Sequence, residues 1–228
     1  MTNILLEGYD IQTPWLYDEL KKTIKPNHSV AVVAFSFRDN RVKSPEDWDR
    51  LYAKEGSLYY EGIVGGFKAY GIPEENVCFV NYFADTKESA AQKIKAADIL
   101  YFLGGLPDRM MDRIREFDLY DVLLRHDGIV MGYSAGAVIQ LAEYHLSPDE
   151  DYPELRYYEG LPYLRDFYLE VHYEGTAVQE EAIRRVLAER GKPVYATAAR
   201  AGAIIVDNGK RKLLGDVRIY PAAEKQEP

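Results

Sequence analysis

GIVMGYSAGAVIQL, residues 128–141, is the stretch on which the reading of this chain turns. A short apolar run, Ile129-Val130-Met131, enters the turn Gly132-Tyr133-Ser134-Ala135-Gly136, and a string of helix formers follows. A serine between two glycines, where a buried strand meets a helix, has the form of a nucleophile elbow. The glycines have a physical reason. A sharp turn pushes the serine towards disfavoured dihedrals, where flanking side chains collide, and glycine removes those collisions. The hydroxyl then stands above the sheet, and the amide of Ala135 points into the same space at a helix N-terminus. The competing reading is a serine that only caps a helix in a tight turn.

Around this stretch, strand-like and helical runs alternate. SVAVVAFSF (29–37), NVCFVNYF (76–83) and ADILYFLGG (97–105) read as strands. Between and after them, residues 44–70, 86–97 and 107–117 read as helices. The first of these has Ser44 as its cap, Pro45 in its first turn and a break or bend near Gly56 or Gly65-Gly66. AGAVIQLAEYH (135–145) reads as a helix leaving the elbow, and residues 146–164 as a long irregular excursion. FYLEVHY is the next strand, then a helix over AVQEEAIRRVLAERG with Gly191 as its cap, and three short strands close the chain. The alternation predicts one α/β domain spanning residues 1–228, a three-layer α/β/α sandwich with a mostly parallel central sheet. Ligands of such sheets bind at the carboxyl ends of the strands, where YFLGG and VMGYS both end.

Composition narrows the function classes. Lys plus Arg is 28 and Asp plus Glu 37, so the net charge is −9, which argues against nucleic acid or an anionic membrane as partner. No apolar run approaches the roughly 18 residues of a membrane span, and MTNILLEGYD lacks the pattern of a secretory signal. A single cysteine, Cys78, rules out an internal disulfide and a cysteine-based zinc site. No histidine pair has metal-ligand spacing, so neither metal nor cofactor is expected. A cytoplasmic location follows as an expectation.

A serine hydroxyl needs a base. His28 and His126 sit at the far ends of their strands, and His145 falls roughly three turns down the helix from the elbow. His172, at the end of its strand, is the candidate base. An orienting acid would complete a triad. Asp149, with Glu150 and Asp151 beside it, gives the order Ser…Asp…His, although DED also reads as a solvated acidic turn. The oxyanion formed on attack needs two donors. Ala135 N–H is one candidate, and Gly105, or else Gly104, supplies the other. Only 38 residues (172 − 134) separate serine from histidine, which points away from the α/β-hydrolase arrangement and towards a smaller fold with the same chemistry.

These residues resemble the serine peptidases that include dipeptidase E and cyanophycinase. Their fold is like that of class I glutamine amidotransferases (flavodoxin-like), with serine in place of the elbow cysteine. The resemblance runs from about Ser29 to Gly209. It rests on ILYFLGG, GIVMGYSAGAVI, GLPYLRDFYLEVHY with Arg184 and Arg185 in the following helix, and AGAIIVDNG. It implies Ser134 as nucleophile, His172 as base and, at a spacing of 15 residues (149 − 134), Asp149 as the third member. Two departures stand out. The chain reads Gly104-Gly105-Leu106-Pro107 where the family often has Gly-Gly-Asn-Thr, and ATAARAGA lacks the glutamate that partners the histidine in some members.

The resemblance implies a serine peptidase cutting short peptides through an acyl-enzyme, with an aspartyl residue on the acyl side. A carboxylate in the cleft calls for arginine, for which Arg38 and Arg109 are the candidates. The expected partner is a small peptide substrate, and the chain acts as a monomer or homodimer. The rival readings are a non-catalytic binding or regulatory protein on the same fold, and an esterase or amidase with a non-peptide substrate.

Overall fold

The first strand is one that the sequence reading does not anticipate: β1 (Thr2–Leu6), built from the short run TNILL. The structure is a computed structural model and describes residues 1–53 and 56–222. Helix α1 (Pro14–Leu20) follows, then β2 (Val30–Val33) and α2 (Pro45–Tyr52), whose cap Ser44 accepts a hydrogen bond from the Asp47 amide at 3.2 Å. Helix α3 (Tyr60–Lys68) runs unbroken through Gly65-Gly66, so the interruption falls before it. A 3-10 turn leads to β3 (Val77–Val80), α4 (Lys87–Ala96), β4 (Ile99–Phe102), α5 (Pro107–Glu116) and α6 (Tyr120–Leu124).

Strand β5 (Ile129–Tyr133) ends at the elbow, but the helix after it is shorter than expected. Helix α7 (Ala135–Val138) is a single turn, and the chain then forms β6 (Glu143–Leu146), paired antiparallel with β7 (Arg156–Glu159). His145 therefore lies on a strand of this ribbon and does not end a helix. AEYH carried helical propensity, but Leu161 N and Gly160 N bond back to Ile139 O and Ala142 O, and this pairing overrides it. Strand β8 (Tyr168–Tyr173), helix α8 (Ala177–Arg190) and the long hairpin of β9 (Val194–Asp207) and β10 (Lys210–Tyr220) complete the chain.

The main sheet runs β10-β9-β1-β5-β4-β2-β3, with β8 beside β9. Strands β1, β5, β4, β2 and β3 pair in parallel, whereas β9 runs antiparallel to β1. Successive side chains of these strands enter opposite cores, as period 2 dictates. Leu5, Val33, Leu100 and Val130 pack on one face, and Ile4, Val32, Tyr101 and Met131 on the other. Helices cover both faces, giving the α/β sandwich expected. No helix among the described residues is long and apolar enough to cross a membrane.

Candidate active site

Because β1 and β5 are parallel neighbours, their carboxyl ends come out together. Leu6 O accepts the Ser134 amide at 2.9 Å, so the residue after β1, Glu7, is set beside the serine. Ser134 has φ 51° and ψ −115°, a conformation that costs a non-glycine residue about 1–3 kcal/mol. The turn tolerates it because Gly132 and Gly136 lie against each other and against the Phe102 carbonyl, with no space for a Cβ.

His172 reaches the same point from β8. The β8–β9 register shifts between Glu170 and Tyr173, and His172 sits within that bulge at φ 53°. Bulges re-aim side chains, and this one turns the imidazole towards the elbow. Nε2 lies 2.7 Å from Ser134 Oγ, and Nδ1 lies 2.9 Å from Glu7 Oε2. The Glu7 side chain is almost fully buried. It also accepts the His172 amide, at 3.2 and 3.0 Å to its two oxygens, and the Thr197 hydroxyl. Such charge-assisted bonds, about 1.5–3 kcal/mol each, are what make an ion tolerable at that depth. The Glu7 hydrogen bond is the main cause of a raised His172 pKa, and desolvation opposes it.

The acid at the imidazole is thus Glu7, and the expectation of Asp149 is corrected. Asp149 Oδ1 accepts the Asp151 and Tyr152 amides, both at 2.8 Å, and closes its own loop. Asp151 holds Arg38 through a two-pronged ion pair, so neither of these two acids of the DED turn meets the imidazole. The sequence offered one clue to Glu7. Read as a strand, TNILL places the next residue at the carboxyl edge of the sheet.

A cavity of about 650 Å³ opens over these groups and is lined by Ser134, His172, Glu7, Gly104, Gly105 and Ser36. Gly105 has φ +139° and its Cα faces the Ser36 carbonyl so closely that a Cβ would collide. Ser36 Oγ donates to Gly104 O at 2.5 Å and Leu106 N donates to Ser36 O at 2.8 Å, so the double-glycine loop is fixed on both sides. Gly104 packs on the ring of Tyr133, and Ala135 opens α7 on the other side of Ser134.

Of the two arginines expected at the mouth, Arg38 lines the cavity but is paired with Asp151. Arg109 does not line it and pairs with Asp39 at 3.3 Å and Asp112 at 3.7 Å. Its place on α5, pointing along the helix surface, removes it from the substrate. Arg41 and Arg200 do line the cavity, and neither has an ion-pair partner among the described residues. No group of three or more metal-ligating side chains is found among the described residues.

A serine on a strand-to-helix elbow, bonded to a histidine that an acid orients, places the chain among α/β proteins of the serine-hydrolase type. The profile of peptidase family S51 matches residues 57–214, more than half the chain: the protein belongs to that family and is a serine peptidase. Glu7 lies outside the matched span. Two solved structures share the fold. A putative peptidase E from Listeria monocytogenes EGD-e is 17% identical with a TM-score of 0.65, the alignment covering 94% of this chain and 98% of that one. A peptidase from an acI-B1 Actinobacterium is 16% identical with a TM-score of 0.65, covering 98% and 95%. No curated protein matches the chain.

Proposed function

We propose that the chain hydrolyses short peptides through a Ser134–His172–Glu7 triad, with an acidic, aspartyl residue on the acyl side of the scissile bond. The observation that carries this is the imidazole bridging Ser134 at 2.7 Å and Glu7 at 2.9 Å on the floor of an open cavity.

Ser134 Oγ attacks the scissile carbonyl carbon as its proton passes to His172 Nε2. The carbonyl electrons move onto oxygen, which the amides of Gly105 and Ala135 receive. Glu7 fixes the proton on Nδ1 and stabilises the imidazolium formed in the step. The C–N bond then breaks, Nε2 returns its proton to the departing amine, and an acyl-serine remains. Water attacks that ester, losing a proton to Nε2; the C–Oγ bond then breaks, Nε2 returns the proton to Ser134 Oγ, and the acid product leaves.

The acyl side lies over the ends of β4 and β2, away from His172, because the leaving amine must depart beside the imidazole that protonates it. The loop after β2 carries Arg38 and Arg41 there. Buried Arg113 anchors that loop by bonds to Phe35 O at 2.5 Å and Phe37 O at 2.8 Å. Arg41, unpaired among the described residues, supports recognition of a side-chain carboxylate.

The experiment is fluorophosphonate labelling of Ser134 together with turnover of Asp-X, β-Asp-X and non-acidic dipeptides. Labelling with preferred turnover of Asp-X is the expected result. Labelling with ester but no peptide hydrolysis would overturn the peptidase assignment of this site, and equal turnover of acidic and neutral peptides would overturn the aspartyl preference.

A further inference from the structure

Strand β9 serves two neighbours with its two halves. Residues 194–196 and 198 pair in parallel with β8, whereas residues 203–207 run antiparallel to β1. Between the halves the chain arches. Against β10, Thr197 pairs with Val217 and Gly202 with Gly215, so residues 198–201 stand opposite Asp216 alone. Extra residues on one strand bend it and re-aim its side chains. Gly215 makes room for the arch: it has φ +66°, and a Cβ there would collide with the Ala201 carbonyl. Arg200 is in the arch, at φ 60°.

Ala199 and Arg200 line the catalytic cavity together with His172 and Glu7. The Arg200 side chain has neither an ion pair nor a hydrogen bond among the described residues. Glu7 does not serve it, being committed to His172 and Thr197. A cation without a counter-charge thus faces the same space as the triad.

The sheet order says which end of a substrate meets it. Ala203 pairs with Leu6, the last residue of β1, so the arch stands at the same edge of the sheet as Glu7. Across that edge, Gly105 follows β4, Ser134 follows β5, Glu7 follows β1 and the arch interrupts β9, with β8 and His172 beyond. Arg200 is therefore on the imidazole flank of Ser134, where the amine departs. Arg38 and Arg41, after β2, are on the opposite flank. In a dipeptide, the carboxylate carbon of the leaving residue is two bonds, about 2.5 Å, from the scissile nitrogen. A guanidinium matches a carboxylate in charge and in its paired donors. An amide or a longer peptide has no charge at that position.

We propose that Arg200 binds the α-carboxylate of the leaving residue, so that the site selects peptides in which one residue with a free carboxylate follows the scissile bond. This rests on the serine-peptidase reading and adds to it the recognition of the substrate's far end.

The test compares Asp-Leu with Asp-Leu amide and Asp-Leu-Ala on the full chain and on its Arg200→Gln, Arg200→Lys and Arg41→Gln variants. The acyl residue is the same in all three substrates, so the comparison does not depend on the aspartyl preference. The expected kcat/KM for Asp-Leu exceeds that for the amide and the tripeptide by about tenfold or more, the lower end of what a charge-assisted hydrogen bond contributes. Arg200→Gln should bring the ratio to within about twofold of one, and Arg200→Lys should restore part of it. Arg41→Gln should slow acid and amide alike and keep the ratio. Arg200 is exposed, so none of its substitutions removes a buried contact. Calorimetry on Ser134→Ala, with and without Arg200→Gln, reads the carboxylate site without turnover. The acid should bind more tightly than the amide only where Arg200 is present. Equal kcat/KM and equal binding for acid and amide, or a ratio unchanged in Arg200→Gln, overturns the proposal. Absence of peptide turnover in the unmutated chain overturns the serine-peptidase reading instead, and the binding order still decides the carboxylate site.

Discussion

Among the described residues, two clusters of serine, histidine and glutamate differ in bonding order and in access. In the cavity the imidazole stands in the middle, with Glu7 on Nδ1 and Ser134 on Nε2. In the second cluster the carboxylate stands in the middle: Glu170 Oε2 accepts from Ser147 Oγ at 2.7 Å and lies 2.7 Å from His145 Nε2. A proton can pass from serine to imidazole in the first. In the second the two meet the same oxygen and not each other. The His172 side chain is 52% exposed and faces the cavity, while that of His145 is 0% exposed and its Nδ1 has no hydrogen-bond partner among the described residues. One set of residue types thus supports a nucleophile, and the other ties β6 to β8. The bulge in β8 separates them. In a regular strand Glu170 and His172 would share a face, and the shift after Glu170 sends His172 to the serine instead.

The largest expected effect breaks the symmetry between the serines. Ser134→Ala should lower kcat by about 10⁴–10⁶, as loss of a triad nucleophile does. Ser147→Ala should change it by less than about threefold, since its hydroxyl touches no reacting group. Steady-state hydrolysis of one good dipeptide measures both, and a comparable loss in the two variants would erase the distinction drawn here.

Glu7→Gln comes next. It keeps the size of the side chain but cannot hold the proton on Nδ1 in the same way, so kcat should fall by about 10³–10⁴ with little change in KM. The pH profile sharpens the point. Catalysis needs the neutral imidazole, and Glu7 raises the His172 pKa. The acid limb of kcat/KM should therefore lie above about pH 6.5, the ordinary histidine value, and the residual activity of Glu7→Gln should show that limb at lower pH. The sign for stability is the reverse. A raised folded-state pKa means that His172 contributes stability fully below about pH 6.5 and loses it as pH rises through the raised value. A limb that does not move in Glu7→Gln would remove Glu7 as the partner.

How much of this the sequence disclosed follows from where its signals are local. The elbow was legible because Gly132, Ser134 and Gly136 fall within five consecutive positions of one turn, and the strands β2 to β5 because their apolar runs are bounded by turn residues. The histidine was legible by elimination, since His28 and His126 lie at the opposite edge of the sheet, where His126 Nε2 meets Ile129 O at 3.3 Å. The acid was not. Glu7 and His172 are 165 residues apart, brought together by β9, which pairs with β1 on one side and with β8 on the other. Order along the chain, which pointed to Asp149, says nothing about such a pairing. His145 was misplaced for a related reason. The pairing that turns residues 143–146 into a strand is made with residues 156–159, beyond the reach of a local pattern.

A smaller effect on activity is expected at the second cluster. Glu170→Gln leaves the His145 imidazole facing an amide in a buried site, and the cost should appear as stability, about 1–3 kcal/mol in a denaturant titration. Turnover at temperatures where the variant is folded should stay within about tenfold. A loss as large as that of Glu7→Gln would make the buried cluster part of the catalytic machinery and collapse the contrast between the two.

The smallest effect belongs to Asp149, the acid that chain order favours and bonding does not. Its Oδ1 accepts the amides of Asp151 and Tyr152, and Tyr152 O in turn accepts the Asp149 amide at 2.8 Å, so the side chain holds a tight turn. Asparagine presents the same carbonyl oxygen to both amides, so the turn survives the change. What Asp149→Asn removes is one exposed negative charge, the weakest of the named influences that raise the His172 pKa. Water and salt screen a charge in that position. The acid limb should shift slightly to lower pH, in the same direction as in Glu7→Gln but by far less, and kcat at its plateau should change by less than about twofold. Measuring both limbs side by side, at low and at high salt, distinguishes a through-space charge from a bonded partner: the Asp149 shift should fade with salt and the Glu7 shift should persist. A plateau drop of a hundredfold in Asp149→Asn would return the acid of the triad to the loop between β6 and β7.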